Sequence, residues 1–176
     1  KDTWNGEQQI YVDPRYAGRD TTPLGLDPFK VRDGILSIVA SRIPAALKPV
    51  LFNNEYVSGI LTTQSRFSQK YGYFEIRSKI PAGIGVWPAF WMLADDGGWP
   101  PEIDVMKGRG QRPGDLVMTT HWPIPATGRV ARCGFGLALP TSPTQFPHSG
   151  LLCLRDRNIA APAVHPRDGH KCPRSF

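Results

Sequence analysis

The amino-acid sequence predicts an all-β fold, either a sandwich or a barrel. Glycine and proline number 18 each in a chain of 176 residues, which is more than a helical protein tolerates. Short segments alternate apolar and polar residues, and no segment of useful length combines a helix cap with a 3.6-residue apolar period. Short strands joined by tight turns are typical of both architectures.

Two segments show the strand pattern well. Gly34–Ser41 has the sequence GILSIVAS, in which apolar residues surround smaller polar positions. Tyr71–Ile80 has the sequence YGYFEIRSKI, and its alternation predicts that Phe74, Ile76 and Ile80 share one face. Turn signals lie at residues 32–34, 81–83 and 95–98.

The character of the chain changes near its C-terminal end. Residues 1–139 are predicted to form one β domain that is incomplete at its C-terminal end, and residues 140–176 a tail of uncertain structure. The tail contains six prolines, three of the four histidines and two of the three cysteines. It is either a loose extension or a segment never selected to fold, as a shifted reading frame would produce. Residues 146–154 alone resemble the beginning of a late strand, and no function is expected in the tail.

Charge and composition exclude several functions. The formal net charge is +6, but the basic residues are scattered and form no basic helix or RNA-binding signature, so nucleic acid is not expected as a partner. No run of 18 apolar residues is present, so no membrane span is expected. The three cysteines lack metal-site spacing, and a disulfide framework would leave one unpaired.

The candidate catalytic residues lie in Trp99–Lys107, a segment with the sequence WPPEIDVMK. Glu102 and Asp104 are two residues apart, so on a strand both carboxylates project from the same face. Lys107 is five residues from Glu102, an odd offset that directs it to the opposite face. A one-residue β-bulge near Val105–Met106 would return it to the carboxylate side.

Tryptophans surround this acidic pair in the sequence. Trp87 and Trp91 precede it in the segment WPAFW, and Trp99 lies three residues before Glu102. Carboxylates serve the glycosidic oxygen and the anomeric carbon of a sugar, and flat aromatic faces bind pyranose rings. The combination favours a carbohydrate site over an ordinary solvated sheet face. At least one of the three tryptophans is nevertheless expected to pack in the core.

The chain closely resembles glycoside hydrolase family 16, which includes lichenases and laminarinases. The motifs that carry the resemblance are YVSG from Tyr56, YGYFEIRSKIP from Tyr71, GVWPAFWML from Gly85 and WPPEIDVM from Trp99. The similarity extends from roughly Trp4 to Trp122, about two thirds of the chain. It implies a concanavalin-like, two-sheet jelly-roll sandwich with a sugar-binding groove on its concave face. It also implies a retaining mechanism on β-1,3- or β-1,3-1,4-glucans.

The resemblance also implies roles for individual residues. Glu102 matches the nucleophile, and Asp104 matches the carboxylate that tunes it. Substrate-binding residues are expected at Trp87, Trp91, Trp99, His121 and Tyr56. For His121, a direct catalytic role and a hydrogen-bonded place in the cleft wall are both open.

Lys107 departs from the family pattern, which has a second glutamate there as the general acid and base. A lysine has an ordinary pKa near 10.4, so it donates a proton reluctantly and is almost never free to accept one. We therefore expect impaired hydrolysis, with a non-catalytic glucan-binding module or a defective fragment as alternatives.

The expected partner is a β-glucan polysaccharide or oligosaccharide, bound by a monomer. No cofactor is expected to be required. The family often carries a structural calcium ion, but no aspartate-rich loop indicates one, so a metal site stays open. The resemblance implies a secreted, extracellular or periplasmic protein, although the chain begins at Lys1 without a signal peptide.

Overall fold

The computed structural model describes residues 7–138, 148–153 and 159–160, which belong to two compact units divided along the chain between residues 63 and 64. Among the described residues, the first unit has five strands and one 3-10 turn at Ala45–Leu47. Its strands are β1 (Gln9–Tyr11), β2 (Phe29–Arg32), β3 (Ile35–Ile38), β4 (Ser41–Arg42) and β5 (Tyr56–Ser58).

The first unit contains a three-stranded sheet of order β1-β5-β4 with its own apolar core. β5 pairs in parallel with β1 and antiparallel with β4. Alternate residues of a strand point to opposite faces, and Val57 in the middle of β5 is buried while its neighbours are only half-buried. The buried core residues of this unit are Ile10, Val12, Ile43, Leu51 and Val57.

The hairpin of β2 and β3 forms the second sheet of this unit. Its turn residues Asp33 and Gly34 have φ values of 50° and 73°, the left-handed backbone that a two-residue hairpin turn requires. The turn and the strand predicted at these positions are confirmed. All four residues of β3 are nevertheless exposed, so the apolar run in GILSIVAS does not contribute a core strand.

The second unit has seven strands among its described residues. They are β6 (Gly72–Arg77), β7 (Ala89–Leu93), β8 (Glu102–Arg109), β9 (Arg112–Ile124), β10 (Arg129–Ala138), β11 (His148–Cys153) and β12 (Ile159–Ala160). An antiparallel sheet has the order β10-β9-β8-β7, and a second has the order β12-β11-β6. β8 therefore lies inside the larger sheet, with a partner on each side.

The alternation predicted for Tyr71–Ile80 is confirmed. Along β6, exposed residues alternate with half-buried ones, and Ile80 just beyond it is 3% exposed. Ile80 packs with Met106 of β8 and Leu116 of β9, and Phe90 of β7 packs against this cluster. The face of the larger sheet that contacts Ile80 is thus its apolar side.

The predicted all-β class is confirmed over the described residues, where the 3-10 turn is the only helical element. Within the same residues, no helix is long and apolar enough to cross a membrane. Strands β11 and β12 fall within the predicted tail, and β11 coincides with the late strand suggested at residues 146–154. The rest of the tail lies outside the described residues.

Candidate active site

Glu102 and Asp104 lie on one face of β8, as their spacing predicts. In the pairing with β9, Glu102 is opposite His121 and Asp104 is opposite Thr119. In the pairing with β7, Asp104 is opposite Trp91. Because β8 is an interior strand, its neighbours hold both carboxylates and supply a histidine on one side and a tryptophan on the other.

A β-bulge interrupts β8 directly after Asp104. Along β7, Trp91 pairs with Asp104 and Phe90 with Met106, so Val105 is an extra residue in β8. The pairing with β9 shifts by one residue between Asp104 and Lys107 as well. The bulge predicted near Val105–Met106 is therefore confirmed. It brings Lys107 back to the face of the two carboxylates.

Lys107 contacts both carboxylates through its ammonium group. Its Nζ donates a hydrogen bond to Glu102 Oε1 at 3.0 Å. It also lies 2.9 Å from Asp104 Oδ1, an ion-pair distance without directional hydrogen-bond geometry. The side chain of Lys107 is 27% exposed, compared with 11% for Glu102 and 1% for Asp104. Lys107 thus forms an ion pair with Glu102, and the interaction extends to Asp104.

Glu102 accepts a hydrogen bond on each of its oxygens. Trp99 donates its indole Nε1–H to Oε2 at 2.7 Å, while Lys107 occupies Oε1. Burial, the largest influence, raises the pKa of Glu102, but the hydrogen bonds from Lys107 and Trp99, the contact with Asp104 and the charge of Lys107 together leave the pKa below its ordinary value. Glu102 is accordingly a carboxylate at neutral pH.

Asp104 is the most buried charged group of the site. Burial raises the pKa of Asp104 above its ordinary value and the adjacent Glu102 adds to the rise, although Lys107 opposes it. His121 Nε2 lies 3.6 Å from Asp104 Oδ2. A buried carboxyl group beside a carboxylate retains a proton more readily than an exposed one, so Asp104 is suited to sharing a proton with Glu102.

The ammonium of Lys107 is held in its charged form. Burial lowers the pKa of Lys107, but its contacts with Asp104 and Glu102 outweigh burial and leave the pKa raised. The Nζ atom also lies 5.8 Å from the centroid of the Trp91 ring, which places a cation against an aromatic face. At neutral pH this side chain is a permanent cation within the acidic pair.

The predicted aromatic residues surround this group only in part. Trp99 lies beside His121, with ring centroids 6.0 Å apart and planes inclined at 43°. Trp87, Trp91 and Trp99 are 58%, 36% and 56% exposed, so the expectation that one of them packs in the core is wrong. Tyr56 belongs to the first unit, where the Arg42 guanidinium lies 5.4 Å from the centroid of its ring. Sugar binding by these residues stays a prediction.

Two interactions at this site were not predicted from the sequence. One is the hydrogen bond from the Trp99 indole to Glu102, and the other is the approach of His121 to Asp104. The first depends on how the loop before β8 turns the indole edge, which no spacing indicates. The second follows from the register of β8 and β9, which only the pairing of the two strands defines.

Glu102, Asp104 and His121 also have the side chains of a metal site, with ligand atoms within 4.8 Å of one another. The Lys107 ammonium, however, already contacts both carboxylates and would repel a metal cation. These three residues do not suit a metal ion while Lys107 is charged. The prediction that no cofactor is required stays a prediction, as does the open question of a structural calcium ion.

Comparison with known sequences shows which protein family contains this site. The chain matches the family described as "Glycosyl hydrolases family 16" over residues 38–149. Endo-1,3-1,4-beta-glycanase ExsH of Rhizobium meliloti (strain 1021) is 45% identical over 117 residues, which are 66% of this chain and 24% of ExsH. Endo-1,3-1,4-beta-glycanase EglC of the same strain is 44% identical over 119 residues, 68% of this chain and 25% of EglC. The chain spans about a quarter of the length of these relatives.

Solved structures show the same fold. The laminarinase catalytic domain from Thermotoga maritima MSB8, crystallised with cetyltrimethylammonium bromide, superposes with a TM-score of 0.67 at 30% sequence identity. The superposition covers 87% of this chain and 58% of that one. This likeness confirms the jelly-roll sandwich class.

Proposed function

Because the chain belongs to the glycosyl hydrolases of family 16, we propose that it carries the groove of a retaining β-glucan hydrolase, with β-1,3- or β-1,3-1,4-glucan as its ligand. The observation that supports this most strongly is the pair of carboxylates on one face of β8, beside exposed tryptophans. Sugar rings stack on exposed aromatic faces, and carboxylates act on the bond between them. The endo-1,3-1,4-beta-glycanase names of ExsH and EglC agree with this ligand.

In this proposal Glu102 is the nucleophile that attacks the anomeric carbon. Its lowered pKa keeps it ionised, and the Trp99 indole fixes one of its oxygens. Asp104, buried directly beside it, shares a proton with Glu102 as the glycosyl ester forms and breaks. His121 is placed to orient Asp104, and Trp87, Trp91 and Trp99 are proposed to contact the sugar chain.

Lys107 occupies the position of the general acid and base. An ammonium group whose pKa is raised protonates the departing sugar oxygen poorly and cannot deprotonate the water that releases the glycosyl ester. It also binds the Glu102 oxygen that would otherwise be free to attack. We infer that this chain hydrolyses unactivated glucan very slowly.

The substitution Lys107→Glu tests this proposal. It supplies a carboxyl group at the bulge position, whose pKa the neighbouring carboxylates should raise toward neutrality. We expect the rate of reducing-end release from β-1,3- and mixed-linkage glucan to rise by on the order of 10²–10⁴-fold.

The matched control is Lys107→Gln, which removes the cation without adding an acid and should leave hydrolysis near the level of the parent chain. Circular dichroism establishes that each variant is folded. A folded Lys107→Glu variant that gains no activity would exclude position 107 as the site of the acid and base.

The ion pair favours a second candidate function, which is glucan binding without turnover. Lys107 pairs with both carboxylates but leaves the three tryptophans exposed, so the groove retains its stacking surfaces. Trp91 lies opposite Asp104 in the β7–β8 pairing, so its ring is proposed to border the point of cleavage.

For the binding function we expect measurable affinity for a laminarin oligosaccharide that Trp91→Ala weakens by about tenfold or more, since stacked aromatic faces dominate such contacts. Trp91→Phe retains a flat ring and should bind within a few-fold of the parent chain. Calorimetry measures both. If Trp91→Ala binds as tightly as the parent chain, Trp91 does not line the groove.

We further propose that the protein works outside the cell or in a periplasm as a monomer. Its proposed substrate is a polymer that does not enter cells. Cys133 in β10 is disulfide-bonded, and disulfides persist in oxidising compartments. Mass determination of alkylated protein with and without prior reduction tests this bond.

A further inference from the structure

Lys107 places a positive charge where a water molecule would have to be activated. Its Nζ lies within 3.0 Å of both carboxylates, and the side chain is 27% exposed, so it is not fully enclosed by protein. Trp91 borders the ammonium at 5.8 Å. The group that faces an incoming acceptor is therefore a cation instead of a base.

We propose that this site transfers a glycosyl group from Glu102 to an inorganic oxyanion, with phosphate as the acceptor in place of water. The inference rests on the proposed function, because it requires Glu102 to form the glycosyl ester. It assigns to Lys107 the binding of the anion that attacks that ester.

The charge of the site changes in the direction that this transfer needs. Before reaction, Lys107 shares its charge between Glu102 and Asp104. When Glu102 becomes a neutral ester, Asp104 remains as the only acidic partner of Lys107 among the groups of this site. With glutamate at position 107 the same intermediate would carry two carboxylates, and like charges repel an incoming anion.

Phosphate also avoids the proton transfer that Lys107 performs poorly. Water must lose a proton as it attacks, whereas the phosphate dianion already carries a nucleophilic oxygen. Its oxygen forms the new bond to the anomeric carbon as the bond to Glu102 breaks, and the electron pair returns to the Glu102 carboxylate. The product is a β-glycosyl phosphate, and two inversions at the anomeric carbon preserve its configuration.

A donor with a good leaving group allows the transfer to phosphate to be measured separately from the formation of the glycosyl ester. The 2,4-dinitrophenyl β-glycoside of a laminarin disaccharide releases dinitrophenolate without a general acid, so the ester on Glu102 can form in the unmodified chain. Intact-mass measurement follows this ester while phosphate is added, and chromatography follows the β-glycosyl phosphate. We expect phosphate to discharge the ester about tenfold faster than buffer of equal ionic strength made with sodium chloride.

Lys107→Gln is the matched control, because it is similar in length but neutral. We expect it to form the ester but to lose most of the acceleration by phosphate, and high salt should weaken the acceleration in the parent chain. The inference would be overturned if phosphate and chloride discharged the ester at equal rates, or if phosphate accelerated the discharge equally in Lys107→Gln. In either case the observed ester would still support Glu102 as the nucleophile. If no ester forms in the parent chain, the proposed role of Glu102 as nucleophile is wrong, and the transfer to phosphate is excluded with it. Glu102→Gln, which cannot form the ester, gives the background signal of the mass measurement.

Discussion

At the scale of single residues, the chemistry of this site depends on the partners of Lys107. Asp104 is almost fully buried, and its only cationic contacts among the described side chains are Lys107 and, when protonated, His121. Removing one member of a buried ion pair leaves an uncompensated charge. The lysine that is expected to impair turnover therefore also stabilises the acidic pair.

This dependence predicts a pH-sensitive loss of stability in Lys107→Met. The lowered pKa of Glu102 contributes stability that is present above its unfolded pKa and lost as the pH falls through its folded pKa. We expect the variant to be less stable by about 2–3 kcal/mol at neutral pH, where both carboxylates face each other without a cation. The difference should shrink in acid, where the carboxylates are protonated.

Urea unfolding followed by tryptophan fluorescence measures this, because Trp87, Trp91, Trp99 and Trp122 all lie in the second unit. Lys79→Met is the control, since Lys79 is exposed, and it should change stability by less than about 0.5 kcal/mol at either pH. A Lys107→Met variant as stable as the parent chain at neutral pH would show that the ion pair contributes nothing.

At the scale of elements, the β-bulge is what makes three residues one site. The odd offset between Glu102 and Lys107 made a bulge the condition for a shared site, because a regular strand would have separated the two residues onto opposite faces. Val105 and Met106 are 1% and 3% exposed in succession, which a regular strand with one buried face does not allow. The alternation of β6 and the hairpin turn at Asp33–Gly34 were predictable for the same reason, since local periodicity and turn chemistry determine them.

Other features of these elements depend on contacts that are distant in sequence. Trp99 donates a hydrogen bond to Glu102 because of the path of the loop before β8. His121 lies close to Asp104 because of the register between β8 and β9. The exposure of all three tryptophans likewise depends on what covers β7 and its neighbouring loops, which composition does not reveal. The placement of Glu102, Asp104 and Lys107 on one face was therefore predictable from the sequence and a bulge, whereas the hydrogen bonds around them were not.

At the scale of the whole molecule, a surface of the first unit suggests how the protein behaves in solution. The β2–β3 hairpin and the residue that follows it carry large exposed apolar side chains. These are Val31, Ile35, Leu36, Ile38 and Val39. They are 42–77% exposed, on a two-stranded sheet whose outer edges pair with no other strand among the described residues. Exposed apolar strands with free edges promote association between chains.

We expect the protein to be a monomer when dilute and to associate as its concentration rises. Val31 and Leu36 are opposite each other in the hairpin register, so Val31→Lys combined with Leu36→Glu places an ion pair across it and charges both strands. Light scattering after size-exclusion chromatography should then show a monomer at concentrations where the parent chain associates. Because the hairpin belongs to the first unit and the candidate site to the second, the double variant should bind glucan as the parent chain does. Association that persists unchanged in the double variant would show that a different surface is responsible.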